Sequence, residues 1–177
     1  TGDITDDGRR EQYEMAKKLL DNEIPGDYHV FLCPGNHDFG WNGVMAKSEN
    51  IERYQKYLSP DVNFPVLKSI DNCHFIGIDS MEDERDGLDR FGAEGEIGER
   101  QLCVLNYQIE TIKKNSPGDK IIVYLHHHPF YYNFFLRLKD ADELKEVIRE
   151  KIDVLLFGHK HVEKRFNQKR SDKEQTY

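Results

Sequence analysis

Short apolar runs alternate with amphipathic stretches along this chain, and the alternation lays out strands and helices in turn. Tyr13, Ala16, Leu20 and Ile24 recur at three- and four-residue steps, which predicts a helix over 9–23, with Asp6 or Asp7 placed to cap its start. Pro25-Gly26-Asp27 ends it. The apolar run at 29–33 reads as a buried strand, stopped by Pro34-Gly35 and followed at once by Asn36-His37-Asp38. A loop at 39–43 leads to a second helix over 48–58, which Ser59-Pro60 terminates. Strands over 64–70 and 73–79 flank Asp71-Asn72, a hairpin turn. Residues 81–98 are acidic and contain glycine; they read as a surface loop, with a rim over a site as the other reading. Leu102, Leu105, Ile109 and Ile112 stripe a core-facing helix over 99–114, broken by Pro117-Gly118-Asp119. A continuous apolar run predicts a strand over 121–125. Asp140 and Glu143 have capping-box spacing at the head of a helix reaching 151. The last clear strand covers 152–157, and beyond Phe166 the chain is polar.

Strands alternating with helices indicate an α/β protein with a partly parallel sheet. At 177 residues one domain is expected, over 1–166, with 167–177 as a polar tail or the start of a further strand region. The net charge of −8 and the pI near 5.5 disfavour a sequence-independent nucleic-acid binder, which needs a basic stripe. No apolar run approaches the roughly 20 residues that span a bilayer. Cys33, Cys73 and Cys103 are odd in number and widely spaced, which suits buried thiols in a reducing compartment, the cytoplasm, rather than disulfides or a zinc ribbon.

Three apolar runs end in polar clusters: Asn36-His37-Asp38, His126-His127-His128-Pro129, and Gly158-His159-Lys160-His161. The acidic loop at the start supplies Asp3. A single Asn-His-Asp turn carries little information, but strand ends that repeatedly deliver imidazoles point to one shared cleft. Imidazole nitrogen with carboxylate and amide oxygen, and no thiolate, suits Mn, Fe, Co or Zn.

The order Gly2-Asp3-Ile4-Thr5-Asp6, Gly35-Asn36-His37-Asp38, His127-His128-Pro129 and Gly158-His159-Lys160-His161 resembles the calcineurin-like metallophosphoesterase superfamily. The resemblance implies a four-layer α/β/β/α sandwich of the metallo-dependent phosphatase type, here with its first strands missing. It also implies two divalent metals, a metal-activated hydroxide, and hydrolysis of phosphomonoesters or phosphodiesters. Asp3 would bridge the metals; Asn36, His127 and His159 would complete one, and His161 would bind the other. His127 is chosen because the family's ligand stands two residues before the proline, which leaves His126 and His128 as packing or pocket residues. His37 would be the general acid, with Asp38 orienting it.

The family opens with Asp-x-His at the end of a first strand, and no such strand and motif precede Gly2-Asp3 in this sequence, so the chain is expected to belong to a longer protein. Without those ligands, a non-catalytic interaction domain that retains the fold is the alternative. Asp6 stands where purple acid phosphatases carry a metal-bound tyrosine. Asp-Asp-Gly and Gly-Asn-His-Asp depart from the protein-phosphatase motifs, and the acidity disfavours the exonuclease branch. What remains is similar to the cyclic-nucleotide and glycerophosphodiester phosphodiesterases. The expected substrate is a small phosphorylated molecule, a nucleotide among the candidates, with Trp41, Tyr131, Tyr132 and Phe134 available to line a leaving-group pocket.

Overall fold

The computed structural model describes residues 1–59, 63–82, 93–130, 135–161, 165, 167–169 and 174–176. Helices α1 (Arg10–Glu23), α2 (Asn36–Phe39) and α3 (Ser48–Leu58) come first, with a 3-10 turn at Trp41–Gly43 after α2. Strands β1 (Val66–Ile70) and β2 (Cys73–Gly77) form the expected hairpin. They are followed by α4 (Glu99–Asn115), β3 (Lys120–Tyr124), α5 (Ala141–Ile148) and β4 (Val154–Leu156). Strands β5 (Asn167–Lys169) and β6 (Glu174–Thr176) come last. The sheet order is β1-β2-β3-β4-β6-β5, with β2, β3 and β4 parallel and β1 antiparallel at one edge.

The apolar stripe of α4 does what its period requires. Leu102, Leu105, Ile109 and Ile112 meet Ile76, Ile121, Val123 and Leu155 of the sheet, with Leu144 and Ile148 of α5 closing the cluster. Each such side chain contributes about 1.5–3 kcal/mol when fully buried. On a second cluster Cys33, Phe64 and Tyr124 are buried against Phe31, Val66 and Phe75. Tyr13 of α1, Tyr54 of α3, Phe39 and Met81 form a third. The result is the α/β architecture expected from the alternation of elements, consistent with the sandwich that the family resemblance implies.

Three local expectations change. Residues 29–33 form no ladder among the described residues; Phe31 instead stacks on Phe75 with ring centroids 4.6 Å apart, so the segment lies against the sheet rather than extending it. Neither Asp6 nor Asp7 caps α1, because the Gln12 side-chain oxygen accepts the N–H groups of Asp7 (3.0 Å) and Arg9 (3.2 Å). The Asp140 side chain does not cap α5 either. Its carboxylate reaches across to accept the N–H groups of Ile97 (2.9 Å) and Gly98 (2.8 Å) at the head of α4, tying the two helices together. Beyond 166, where the sequence predicts a polar tail or a further strand region, β5 and β6 pair antiparallel at the sheet edge, since backbone pairing needs no apolar side chains.

Cys33 is buried, but Cys73 is half-buried and Cys103 exposed, since position 103 falls off the apolar stripe of α4. The acidic stretch is likewise mixed. Met81 and Ile97 at its two ends are buried, Glu82 N–H donates to the Glu96 carbonyl (3.0 Å), and 83–92 lie outside the described residues. Among the described residues no helix is long and apolar enough to cross a membrane.

Candidate metal centre

The C-terminal ends of β2, β3 and β4 deliver Ser80, His126-His127-His128 and Gly158-His159 to one edge of the sheet, where open α/β sheets place their sites. The loop at 1–8 and helix α2 close over that edge. Asp38, fully buried, fastens them together: its carboxylate accepts the N–H groups of Thr5 (2.8 Å) and Gly35 (2.9 Å) and the Thr5 hydroxyl (3.2 Å). The Tyr13 hydroxyl of α1 donates to the Asp38 carbonyl at 2.6 Å, and Asn50 of α3 donates to the Phe39 carbonyl at 3.0 Å. Gly35 is obligatory here, because a Cβ would stand 2.5 Å from the Asp3 nitrogen and 2.9 Å from His126 Nδ1.

The donor atoms then converge. His126 Nε2 lies 2.9 Å from Asn36 Oδ1, 3.0 Å from His159 Nδ1 and 3.3 Å from Asp3 Oδ2, and His159 Nδ1 lies 3.0 Å from Asn36 Oδ1. The proton positions follow from the outer partners. His126 Nδ1 sits 2.8 Å from the Thr1 carbonyl, which only accepts, so Nδ1 carries the hydrogen and Nε2 presents a lone pair. Asn36 Nδ2 donates to the Gly43 carbonyl at 2.9 Å, so Oδ1 faces inward. His37 N–H donates to Asp3 Oδ1 at 3.1 Å and leaves Oδ2 turned toward the cluster. His126 Nε2 therefore has no proton to offer the oxygens around it. A divalent cation would satisfy the lone pairs that meet there, and two imidazoles, a carboxylate and an amide are ligand types that Mn, Fe, Co and Zn accept. Among the described residues no group of three or more His, Cys, Asp or Glu side chains is arranged to hold a metal ion as it stands. A cavity of about 350 Å³, lined by Thr1, Gly2, Asp3, His126, Gly158, His159 and His161, opens beside it.

Of the residues singled out from the sequence, Asp3, Asn36 and His159 come together as expected. His161 stands at the rim, its ring 4.0 Å from Asp3 Oδ2 and its side chain 78% exposed. His127 does not join the convergence. Its Nδ1 is 2.8 Å from the Ser80 hydroxyl, and its Nε2 is buried without a hydrogen-bond partner, as is His159 Nε2. His126, two residues past the end of β3, contributes the nitrogen that meets His159 Nδ1 and Asn36 Oδ1, while the His127 ring lies 4.5 Å from the His159 ring between centroids. His128 packs on Phe157 with centroids 4.5 Å apart. Asp38 does not orient the His37 ring: its carboxylate is engaged by Thr5 and Gly35, and His37 Nδ1 donates to the Asp6 carbonyl at 2.8 Å. Trp41 is 52% exposed on the turn after α2, whereas Tyr131, Tyr132 and Phe134 lie outside the described residues. Ser80 and Thr5 carried no sequence signal, since a hydroxyl acting through another side chain has no characteristic spacing.

Asp3, His159 and His161 all adopt positive φ (54°, 71° and 50°), a region costly for side-chain-bearing residues and concentrated at functional sites. Because Asp38 holds two buried backbone N–H groups, Asp38→Ala is expected to lower stability by about 3 kcal/mol, at about 1–3 kcal/mol per stranded group. Urea denaturation measures it, and a loss below about 1 kcal/mol would show that water replaces the carboxylate.

Burial pushes His126 and His159 down to about 4 and His127 well below its usual range. It pushes Asp38 up to about 6 and raises Asp3, the latter opposed by the His37 N–H. The depressed imidazoles contribute stability that is present above about 6.5 and lost as pH falls toward 4. The raised carboxylates act oppositely, contributing stability that is lost as pH rises through about 6. Three imidazoles outweigh two carboxylates. Chelator-treated protein is expected to be about 2 kcal/mol less stable at pH 5 than at pH 7, one pKa unit being about 1.4 kcal/mol. Urea midpoints that stay level or rise on acidification would contradict this.

Two comparisons with known proteins bear on this site. A probable glycerophosphodiester phosphodiesterase, GpdQ, of Arcobacter nitrofigilis is 30% identical over 135 residues, which are 73% of this chain and 40% of that protein. The chain thus spans well under half the length of that relative. The family model for calcineurin-like phosphoesterases matches residues 1–163, which takes in the Asp3 loop, helix α2 and the ends of β3 and β4. The chain belongs to the calcineurin-like phosphoesterase family.

Proposed function

We propose that this chain carries the site of a metal-dependent phosphoesterase that hydrolyses small phosphodiesters. The observation that supports it is the convergence of Asp3 Oδ2, Asn36 Oδ1, His126 Nε2 and His159 Nδ1, with the His126 proton committed to the Thr1 carbonyl. The name of the GpdQ relative supports the diester class. Asp3, Asn36, His126 and His159 would hold one divalent metal, and Asp3 with His161 would contribute to a second. Bound metals supply Lewis acidity toward the phosphoryl oxygens and lower the pKa of a water.

The protein's own residues supply positioning and the proton. The phosphate occupies the cavity beside His126 and His159, where buried neutral imidazoles add no competing charge. Gly2 and Gly35 allow the Asp3 loop to lie directly on His126. His37 stands at the mouth with its side chain 28% exposed, and its Nδ1 is held by the Asp6 carbonyl (2.8 Å) with the Asp6 carboxylate 3.7 Å away. That leaves Nε2, beside Gly43, to pass a proton to the departing alkoxide as the P–O bond breaks. Water attacks in line, so no covalent enzyme adduct forms.

Turnover of bis(p-nitrophenyl) phosphate, with metal content measured on the same sample, tests the reading. Activity should vanish on chelation and return with Mn²⁺, Zn²⁺ or Co²⁺. Metal-free protein with undiminished turnover would overturn the metal-dependent reading, and protein that binds none of the three metals and shows no turnover would leave the fold as an interaction domain.

A further inference from the structure

At the other end of the sheet a second set of reactive side chains is in register. Ser69 of β1 and His74 of β2 are cross-strand partners, and the Ser69 hydroxyl lies 2.7 Å from His74 Nδ1. His74 Nε2 lies 3.0 Å from Asp119 Oδ2, in the turn that leads from α4 into β3. A carboxylate only accepts, so Nε2 carries the imidazole proton and Nδ1 is the lone pair that receives the serine O–H. The chain serine, imidazole, carboxylate is thus correctly polarised, with the two ring nitrogens exchanged relative to the usual triad.

We propose that Ser69 is an activated nucleophile that reacts with activated acyl and fluorophosphonyl esters, independently of the metal centre. Its surroundings are fixed by backbone pairing. The Asp71-Asn72 turn is closed by the hydrogen-bonded pair Ile70↔Cys73, so the next pair, Ser69↔His74, is non-hydrogen-bonded and brings its side chains closest. Its backbone groups point outward instead, and β1 is the edge strand, so the Ser69 N–H is directed away from the sheet as a donor for a developing oxyanion. Lys120 N–H donates to the Asn72 carbonyl at 2.8 Å and Asp119 N–H to the Ser116 carbonyl at 3.0 Å, which hold Asp119 against the hairpin. The His74 side chain is 13% exposed, whereas Ser69 faces solvent. Strand β3 separates this set from His126 by its full length of five residues, roughly 17 Å.

In the acyl reaction Ser69 Oγ bonds to the ester carbonyl carbon while its proton moves to His74 Nδ1. The tetrahedral adduct expels the alcohol, which leaves with that proton, and a water repeats the sequence to release the carboxylic acid and restore the serine. With a fluorophosphonate the Oγ–P bond forms, the P–F bond breaks, fluoride leaves with the proton, and the adduct persists.

The test is incubation of the chain with an alkyl fluorophosphonate, followed by peptide mass spectrometry. Label is expected on Ser69, absent in Ser69→Ala, and formed at least tenfold more slowly in His74→Gln and in Asp119→Asn, with phosphodiester turnover unchanged in all three. Circular dichroism of each variant establishes that it is folded. No label on Ser69, or less than tenfold slowing in folded His74→Gln, would overturn the assignment and leave the three residues as a clasp between the hairpin and the α4–β3 turn.

Discussion

His126→Ala is expected to lose bound metal and phosphodiester turnover together, by more than the roughly 10–100-fold that changes outside the ligand shell produce. Removal of this ring deletes an atom that lies within 3.3 Å of Asn36 Oδ1, His159 Nδ1 and Asp3 Oδ2 at once. It also frees the Thr1 carbonyl that the ring binds at 2.8 Å, so the Asp3 loop loses an anchor as well as the ligand proposed for the metal. His127→Gln provides the contrast. That ring lies behind the cluster, 4.5 Å from His159 between centroids and bonded to Ser80, so its replacement should weaken metal binding only within the outer-shell range and leave stoichiometry intact. Metal analysis of the two variants decides between adjacent histidines. Full metal content in His126→Ala, with none in His127→Gln, would return the ligand role to His127.

For His37→Ala the expected result is a loss of about 10²–10⁴-fold on phosphodiesters with alkyl leaving groups, with metal content unchanged. Turnover of bis(p-nitrophenyl) phosphate should fall far less, because p-nitrophenolate departs without a proton. The variant is clean for a structural reason: Asp3 is held by the backbone N–H of residue 37, which alanine retains. The ring itself bonds the Asp6 carbonyl at the mouth of the site and supports none of the converging donor atoms. An equal loss on both substrate classes would show that His37 positions the phosphate rather than protonating the leaving group.

Much of the architecture is legible in the sequence because its elements follow from local periodicity. The α4 stripe, the 66–77 hairpin and the β3 run each satisfy their own pattern, and the structure builds each where the pattern places it. Residues 29–33 fail because a strand exists only with a hydrogen-bonded neighbour, and among the described residues Phe31 finds an aromatic face instead. Asp140 fails as a cap for a related reason. Two unsatisfied N–H groups at the head of α4 compete for its carboxylate, and spacing within α5 cannot report that competition.

The same division runs through the site. That imidazoles follow the apolar runs of β3 and β4 is legible in the sequence alone, since parallel strands that stop in polar clusters deliver them to one edge of the sheet. The family follows from the order of those clusters. Where each of the three histidines lies, which proton sits on which nitrogen, and what Asp38 holds were decided only by tertiary structure. Those properties depend on atoms brought together across as many as 125 residues, as in the contact from His126 to Thr1. A hydrogen bond between distant carbonyl and ring leaves no trace in spacing, yet it is what turns the His126 lone pair inward.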